Sequence, residues 1–344
     1  MDPIKIIVTR TSIIDRACLS QSQQLIVPIL QLPMKTTLLA FFFIAAAPFA
    51  NAFPDKPIRI IVPTEAGGGH DTIARIFQRA IQEKELLSEK LVIVNIPGAG
   101  GAVGTRKIKD SPNDGYTIGI WNPNALISAK LMGITRYDHN DYEVIGMTGF
   151  TDLGMGVKTD SAINSVTSMI ERGKVQRGAI KLATEIGTAA HIIPIILAHK
   201  AGFEFRVVAS GGGSKRLASI LGGHTDISLF STSALINFRE SGLSPLMLFS
   251  EERSPLLPDT PTAKENGIEL SITESRIWLA PKGTPEERLA VIRKALESAI
   301  QNESVMTRLT TLGMTPEFGD SKTVLADIEK MRALAEPIIA QLKR

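Results

Sequence analysis

Four loops of small residues have the composition of a binding site: Thr64-Glu65-Ala66-Gly67-Gly68-Gly69, Gly98-Ala99-Gly100-Gly101, Gly187-Thr188 and Ser210-Gly211-Gly212-Gly213. Glycine lets a backbone come close to a ligand, and a helix that follows such a loop presents free N–H groups at its positive end. Several of these loops facing one crevice would hold a carboxylate or an amide largely through backbone donors. The plainer reading of any one loop is a tight turn and nothing more. Phosphate chemistry finds no support. Gly98 and Gly100 begin a G-x-G-x-x-G pattern, but Val103 stands at its third glycine position, and no G-x-x-x-x-G-K-[ST] stretch occurs.

Catalytic groups are sparse. The five histidines, His70, His139, His191, His199 and His224, form no H-E-x-x-H or other close pair suited to zinc, and there is no G-x-S-x-G nucleophile elbow. No catalytic residue, metal or cofactor is therefore expected. His191, near a helix start, reads as a structural histidine, with ligand contact as the alternative. His70 follows three glycines and suits a cap or a ligand contact equally, while Asp71 reads as a helix N-cap. Trp121 and Trp278 are core residues or walls of a cleft. Asn122 and Asn124, in a loop at a strand end, can donate and accept hydrogen bonds to a polar ligand.

The elements that would position these residues alternate. Short apolar runs at Ile58–Val62, Leu91–Val94, Tyr116–Ile120, Phe205–Val208, Asp226–Phe230 and Pro245–Phe249 read as strands. Between them lie helix-period segments; Ile73, Ile76, Phe77, Ala80 and Ile81, for example, share one helical face. Each strand runs into a small-residue loop that opens a helix. This is the α/β pattern, and it places the loops at the carboxyl ends of the strands, where ligands bind. Thr284-Pro285-Glu286-Glu287 reads as a capping box with proline at the first helical position. A last helix over Lys322 to Leu342 is expected to bend or break at Pro337.

Charge is nearly balanced: 38 basic against 35 acidic residues give +3, and setting aside residues 1–52, with four basic and two acidic, leaves +1. Without a clustered basic stripe, nucleic acid is not an expected partner. Met34–Ala52 reads as a secretory signal peptide, with Lys35, an apolar stretch from Leu38 to Ala47, Pro48, and the small-x-small Ala50-Asn51-Ala52. The apolar stretch is about half the length a bilayer crossing needs. Residues 1–33 read as an upstream extension, with Met34 a better initiator than Met1. Cleavage after Ala52 would remove Cys18, the only cysteine. The remaining chain could form no disulfide, which suits an oxidising periplasm.

Several short pieces then follow one another in a specific order. Pro54-Asp55-Lys56-Pro57-Ile58-Arg59 is followed by Ala66-Gly67-Gly68-Gly69-x-Asp71, Asn95-x-Pro97-Gly98-Ala99-Gly100-Gly101 and Pro112-x-Asp114-Gly115-Tyr116-Thr117. Gly187-Thr188-x-x-His191, Leu221-Gly222-Gly223-x-x-Asp226, Arg253-Ser254-Pro255-x-x-Pro258-Asp259-x-Pro261-Thr262 and Ala280-Pro281-x-Gly283-Thr284-Pro285 come next. In this order and spacing the chain resembles the Bug-type extracytoplasmic solute-binding receptors of the tripartite tricarboxylate transporter family. The resemblance covers nearly all of residues 53–344.

The resemblance implies a two-lobed periplasmic-binding-protein type II fold, each lobe a mostly parallel sheet flanked by helices. The chain would cross between lobes near Gly154 and Ser275, so that 53–154 and 275–344 form lobe 1 and 155–274 form lobe 2. It implies capture of a small polar metabolite (a carboxylate, an amino acid or a related compound) without catalysis. The receptor would be a periplasmic monomer that docks on membrane permease subunits. By position the resemblance implicates Thr64, Glu65, Ala66, Gly67 and Gly68; Trp121, Asn122 and Asn124; and Thr184, Gly187 and Thr188. Ser210, Gly211 and Gly212, with Ser231 and Thr232, would supply the remaining contacts.

Two residues depart from the family's pattern. Glu65 stands where the family commonly has proline or another uncharged residue, and Glu185 where a small residue is frequent. If both face the cleft, a zwitterionic, cationic or neutral guest is favoured over a tricarboxylate; if both face solvent, they carry no such preference. A ligand sensor feeding a signalling partner and a periplasmic α/β enzyme stand as alternatives to transport at this point.

Overall fold

A computed structural model describes residues 53–342. The expected extension, the signal peptide and Cys18 lie outside the described residues. The chain begins with β1 (Ile58–Val62), α1 (Gly69–Glu83), β2 (Leu91–Asn95), α2 (Ala102–Lys109), β3 (Thr117–Trp121) and α3 (Pro123–Leu131). After a 17-residue strand, β4 (Tyr142–Lys158), and α4 (Val166–Val175), the same order returns. It runs β5 (Lys181–Thr184), α5 (Ala189–Ala201), β6 (Arg206–Ala209), α6 (Gly213–Leu221), β7 (Ile227–Ser231) and α7 (Thr232–Asn237). In both series the first strand lies between the other two and pairs with each in parallel. Parallel neighbours need a crossover, and the helices supply it, so the loops that follow the strands collect at one end of each sheet.

The chain closes with β8 (Leu243–Leu248), β9 (Thr273–Pro281), α8 (Glu286–Ile300), α9 (Glu303–Thr311), β10 (Thr315–Gly319) and α10 (Ser321–Leu342). β4 belongs to both sheets. Its residues from Tyr142 to Asp152 pair antiparallel with β9, whereas Leu153–Val157 pair with β7 and Gly154–Lys158 with β8. The hydrogen-bonded order is β2-β1-β3-β9-β4-β7-β5-β6, with β8 and β10 also on β4. The sheets are therefore mixed. Between the strands named here, parallel pairing occurs in β2-β1-β3 and β6-β5-β7, and each antiparallel pair contains β4 or β9.

Packing explains the glycines of β4 better than turns do. A Cβ on Gly154 would lie 2.6 Å from the Met247 carbonyl oxygen and 2.8 Å from Leu235 and Leu248. Trp278 is a core residue: fully buried, it donates from Nε1 to Thr148 Oγ1 at 2.8 Å and meets Phe77 edge-on at 5.7 Å. α5 buries Ile192, Ile193, Ile196 and Leu197 completely and packs against β7, α3 and α10. Its lack of a polar face follows from being enclosed on several sides.

Three local expectations are corrected. α8 begins at Glu286 with Pro285 at its N-cap, and Thr284 donates its hydroxyl to Pro281 O rather than capping the helix. The reason is that Pro285 has ψ 133°, an extended value that delays the first helical residue by one. Asp71 is not an N-cap: Gly68 holds that position, and Asp71 lies within the first turn. α10 runs past Pro337 to Leu342 without interruption, so the break expected there as one alternative does not occur. The six expected strands sit within two residues of their predicted limits, as with Arg206–Ala209 for Phe205–Val208.

Candidate functional site

A cavity of about 240 Å³ lies where the strand ends of the two lobes meet. From the first lobe come Thr64, which follows β1, His70 on α1, and Trp121, Asn122 and Ala125 at the junction of β3 and α3. From the second come Glu185 after β5, Thr188, Ala189 and Ala190 at the start of α5, and Gly213 and Arg216 on α6. Leu229, Phe230 and Ser231 of β7, Leu153 of β4 and Glu274 of β9 complete the lining. Asn122 caps α3, its Oδ1 accepting from the Ala125 N–H at 3.0 Å, and Thr188 and Gly212 occupy the N-cap positions of α5 and α6. Helix starts from both lobes therefore converge on one space, the arrangement that favours an anionic group.

On the first-lobe side, Asp71 holds the loop after β1. Its Oδ2 accepts from the Gly67 N–H and from Arg75 Nε, both at 2.8 Å, and its Oδ1 accepts from Asn95 Nδ2 at 3.0 Å. The same Asn95 amide donates to Thr64 O at 3.1 Å, so one buried carboxylate fixes the strand-end loop against β2. Burial works against ionisation of Asp71, but the hydrogen bonds from Arg75, Gly67 and Asn95 outweigh it and hold the carboxyl below its usual range. His70 lies over Trp121 with ring centroids 4.7 Å apart, and Asn122 Nδ2 is 3.4 Å from its Nε2. Burial pushes the His70 imidazole well below its ordinary range, and the charge of Arg276 pushes in the same direction. It is a neutral ring at pH 7. Trp121 in turn rests on Gly101: a Cβ there would be 2.1 Å from the indole.

On the second-lobe side, the dominant group is Arg216. Only 9% exposed, it donates from Nε to Ser228 Oγ at 3.0 Å, from Nη1 to Gly211 O at 3.1 Å and from Nη2 to Leu229 O at 3.2 Å. Its guanidinium carbon lies 5.4 Å from the centroid of the Phe230 ring. Burial lowers its pKa, and Glu185 and Glu274 oppose that shift. Glu274 is pushed up by burial, with Arg276 and Arg216 opposing; its Oε2 is 3.7 Å from Arg276 Nη1. Thr64 Oγ1, Thr184 Oγ1 and Arg276 Nε are buried without a hydrogen-bond partner among the described residues. Buried polar atoms of this kind call for a partner, and of the three residues Thr64 lines the cavity.

The lobes also touch directly. Ser128 Oγ donates to Thr188 O at 3.2 Å, and a Cβ on Gly187 would be 2.2 Å from Ile134 Cδ1. Gly187 has φ +82°, so its glycine both permits the turn and receives a side chain from the opposite lobe.

Of the residues expected in the site, Thr64, Trp121, Asn122, Thr188 and Ser231 line the cavity. The others lie outside that lining. Glu65 is exposed, Gly68 caps α1, and Ala66 and Gly67 border a separate outer groove with Arg75, Arg79 and Arg308. Asn124 donates to Thr273 O at 3.0 Å and borders another groove, beside Ser275 and Met331. Thr184 is buried behind Glu185, Ser210 turns its hydroxyl to Val208 O, and Thr232 donates to Asp152 O. Gly211 offers its carbonyl to Arg216, and Gly212 caps α6. Arg216 and Glu274 were not foreseen: one lies a turn into the helix behind the Ser210–Gly213 loop, the other on a strand outside every loop pattern. Apolar Ala125, Leu153, Leu229 and Phe230 carried no signal apart from their neighbours.

The family model for the tripartite tricarboxylate transporter family receptor matches residues 73–343. The chain belongs to that family. It is a solute-binding receptor of the tripartite transporter type. Protein BugT of Bordetella pertussis is 27% identical over 281 residues, which span 79% of this chain and 85% of BugT. The crystal structure of a TctC solute-binding protein from Polaromonas is 27% identical, with a TM-score of 0.69, covering 84% of the receptor and 99% of that chain. MatC from Rhodopseudomonas palustris with bound malate gives a TM-score of 0.73 over 83% of the receptor and 100% of that chain; at 20% identity the likeness is one of fold alone.

Proposed function

We propose that the receptor traps its solute in the cavity between the lobes, holding a carboxylate at the starts of α5 and α6 with the help of Thr64, Asn122, Thr188, Ser231 and Arg216. The observation that carries this reading is the meeting of helix starts from both lobes on one small space, into which Thr64 brings a hydroxyl without a protein partner among the described residues. Its volume suits a compact metabolite. The malate held by a relative of the same fold supports a carboxylate as the common element. In this reading 53–154 and 275–344 move as one lobe and 155–274 as the other, flexing where β4 runs from one sheet to the other and where the chain enters β9. Capture needs no nucleophile, metal or cofactor, and the receptor works as a periplasmic monomer that hands its guest to the membrane permease subunits. Met34–Ala52 directs export and is removed, so that the mature chain starts at Phe53.

A thermal-shift screen over small organic acids and amino acids tests the reading, since a ligand that binds only the folded state at a hundred times its Kd adds about 2.7 kcal/mol of stability. A hit whose calorimetric affinity falls at least tenfold in Asn122→Ala and Thr188→Ala supports the cavity as the site. A hit unaffected by both, or turnover of the compound, contradicts it. Mass spectrometry of the exported protein checks the start at Phe53.

A further inference from the structure

The cavity lining contains three charged side chains drawn from three elements: Glu185 beyond β5, Arg216 on α6 and Glu274 on β9. His70, the fourth titratable group of the lining, is neutral for the reason given above. With both glutamates ionised, the lining carries one more negative charge than positive. Counting Arg276, whose Nη1 lies 3.7 Å from Glu274 Oε2, only brings the balance to zero. No surplus cation is available for a second carboxylate. A dicarboxylate would set two negative charges in a small space already bounded by two carboxylates, where like charges repel.

Arg216 has a limited capacity of its own. Three of its five N–H groups are committed to Ser228, Gly211 and Leu229, which leaves two, enough for one carboxylate in a bidentate grip. The two glutamates stand on different elements, and both act electrostatically on Arg216, so cationic and anionic groups adjoin within the one cavity. Such a lining matches a guest that itself carries both signs.

We propose that the receptor selects a zwitterion, an amino acid with one amine and a carboxylate, in which Glu185 and Glu274 receive the ammonium group while Arg216 and the helix starts receive the carboxylate. This rests on the cavity being the capture site and adds the class of solute. Glu65, exposed and away from the cavity, takes no part.

The test is calorimetry on the exported receptor with pairs that differ only by an amine in place of a hydroxyl and carry one carboxylate: L-alanine and L-lactate, L-serine and L-glycerate, 4-aminobutyrate and 4-hydroxybutyrate. The expected result is an amine member bound at least tenfold more tightly than its hydroxy partner in one or more pairs. Glu185→Gln and Glu274→Gln should each shrink that ratio at least fivefold. Should Glu274→Gln fail to fold, Glu185→Gln carries the comparison alone. Hydroxy acids bound as well as or better than amines, with affinity still lost in Asn122→Ala, would overturn the zwitterion and leave the capture site standing. An amine preference that both glutamine variants retain would overturn the assignment to these glutamates. Binding of neither class would remove the capture site along with the inference.

Discussion

In the first lobe the strand-end loop after β1 is pinned by Asp71; in the second, the loop after β6 is pinned by Arg216. Both are buried charges in the early turns of the helix that follows the loop, and both reach back to the backbone. The difference lies in where their counter-charges sit. Asp71 is neutralised by Arg75 on its own helix, i,i+4, and faces away from the cavity. Arg216 lines the cavity, and the opposing charges, Glu185 and Glu274, line it too. One device only holds a loop in place. The other holds a loop and offers charge to whatever enters.

Arg216→Met breaks the comparison hardest. It strips donors from Gly211 O, Leu229 O and Ser228 and removes the one cation of the cavity lining, so unfolding stability in urea should fall by about 3–5 kcal/mol and solute affinity by more than tenfold. Asp71→Asn should cost about 1.5–3 kcal/mol through weakened charge-assisted hydrogen bonds, with a smaller effect on affinity, because only loop position is lost. A loss of affinity as large as that of Arg216→Met would erase the distinction between the two lobes.

Gly187→Ala comes next. The left-handed backbone costs roughly 1–2 kcal/mol for a residue with Cβ, and the new methyl meets Ile134 across the interface. Adding Ile134→Ala should recover part of the lost affinity in a double-mutant cycle. Full additivity would mean the lobes do not meet there when solute is bound.

The smallest effect concerns pH. Because burial holds His70 neutral in the folded state, the unfolded chain takes up a proton that the folded chain refuses once pH drops below about 6.5. Stability should then decline with falling pH by up to about 1.4 kcal/mol per unit until the folded-state pKa is reached. His70→Asn should flatten that part of the profile between pH 7 and 5.5 in urea denaturation, and an unchanged slope would show that the ring is not buried as described.

Much of the first-lobe wall was legible in the residues because it depends on local pattern. β1 reads as Ile-Arg-Ile-Ile-Val with four of five residues buried, and α1 shows its buried face at Ile73, Ile76, Phe77, Ala80 and Ile81. Asn122 and Ser231 cap helices at strand ends and also line the cavity. The glycine loops misled in part, since Gly101 makes room for Trp121 and Gly187 for Ile134 rather than for a ligand. β4 was not legible: four glycines in 17 residues dilute the strand signal, and its course through both sheets is set by partners far along the chain. Glu274 belongs to the same class. Only the pairing of β9 with β4 brings it to the cavity, and nothing local to Thr273–Pro281 points there.

The most direct test is a crystal structure of the receptor with the solute found by thermal shift. The account predicts electron density for that solute between the lobes, with a carboxylate at the starts of α5 and α6 and within hydrogen-bond distance of Arg216. Density in the outer groove beside Arg75 and Arg308, or a solute held without contact to both lobes, would contradict it.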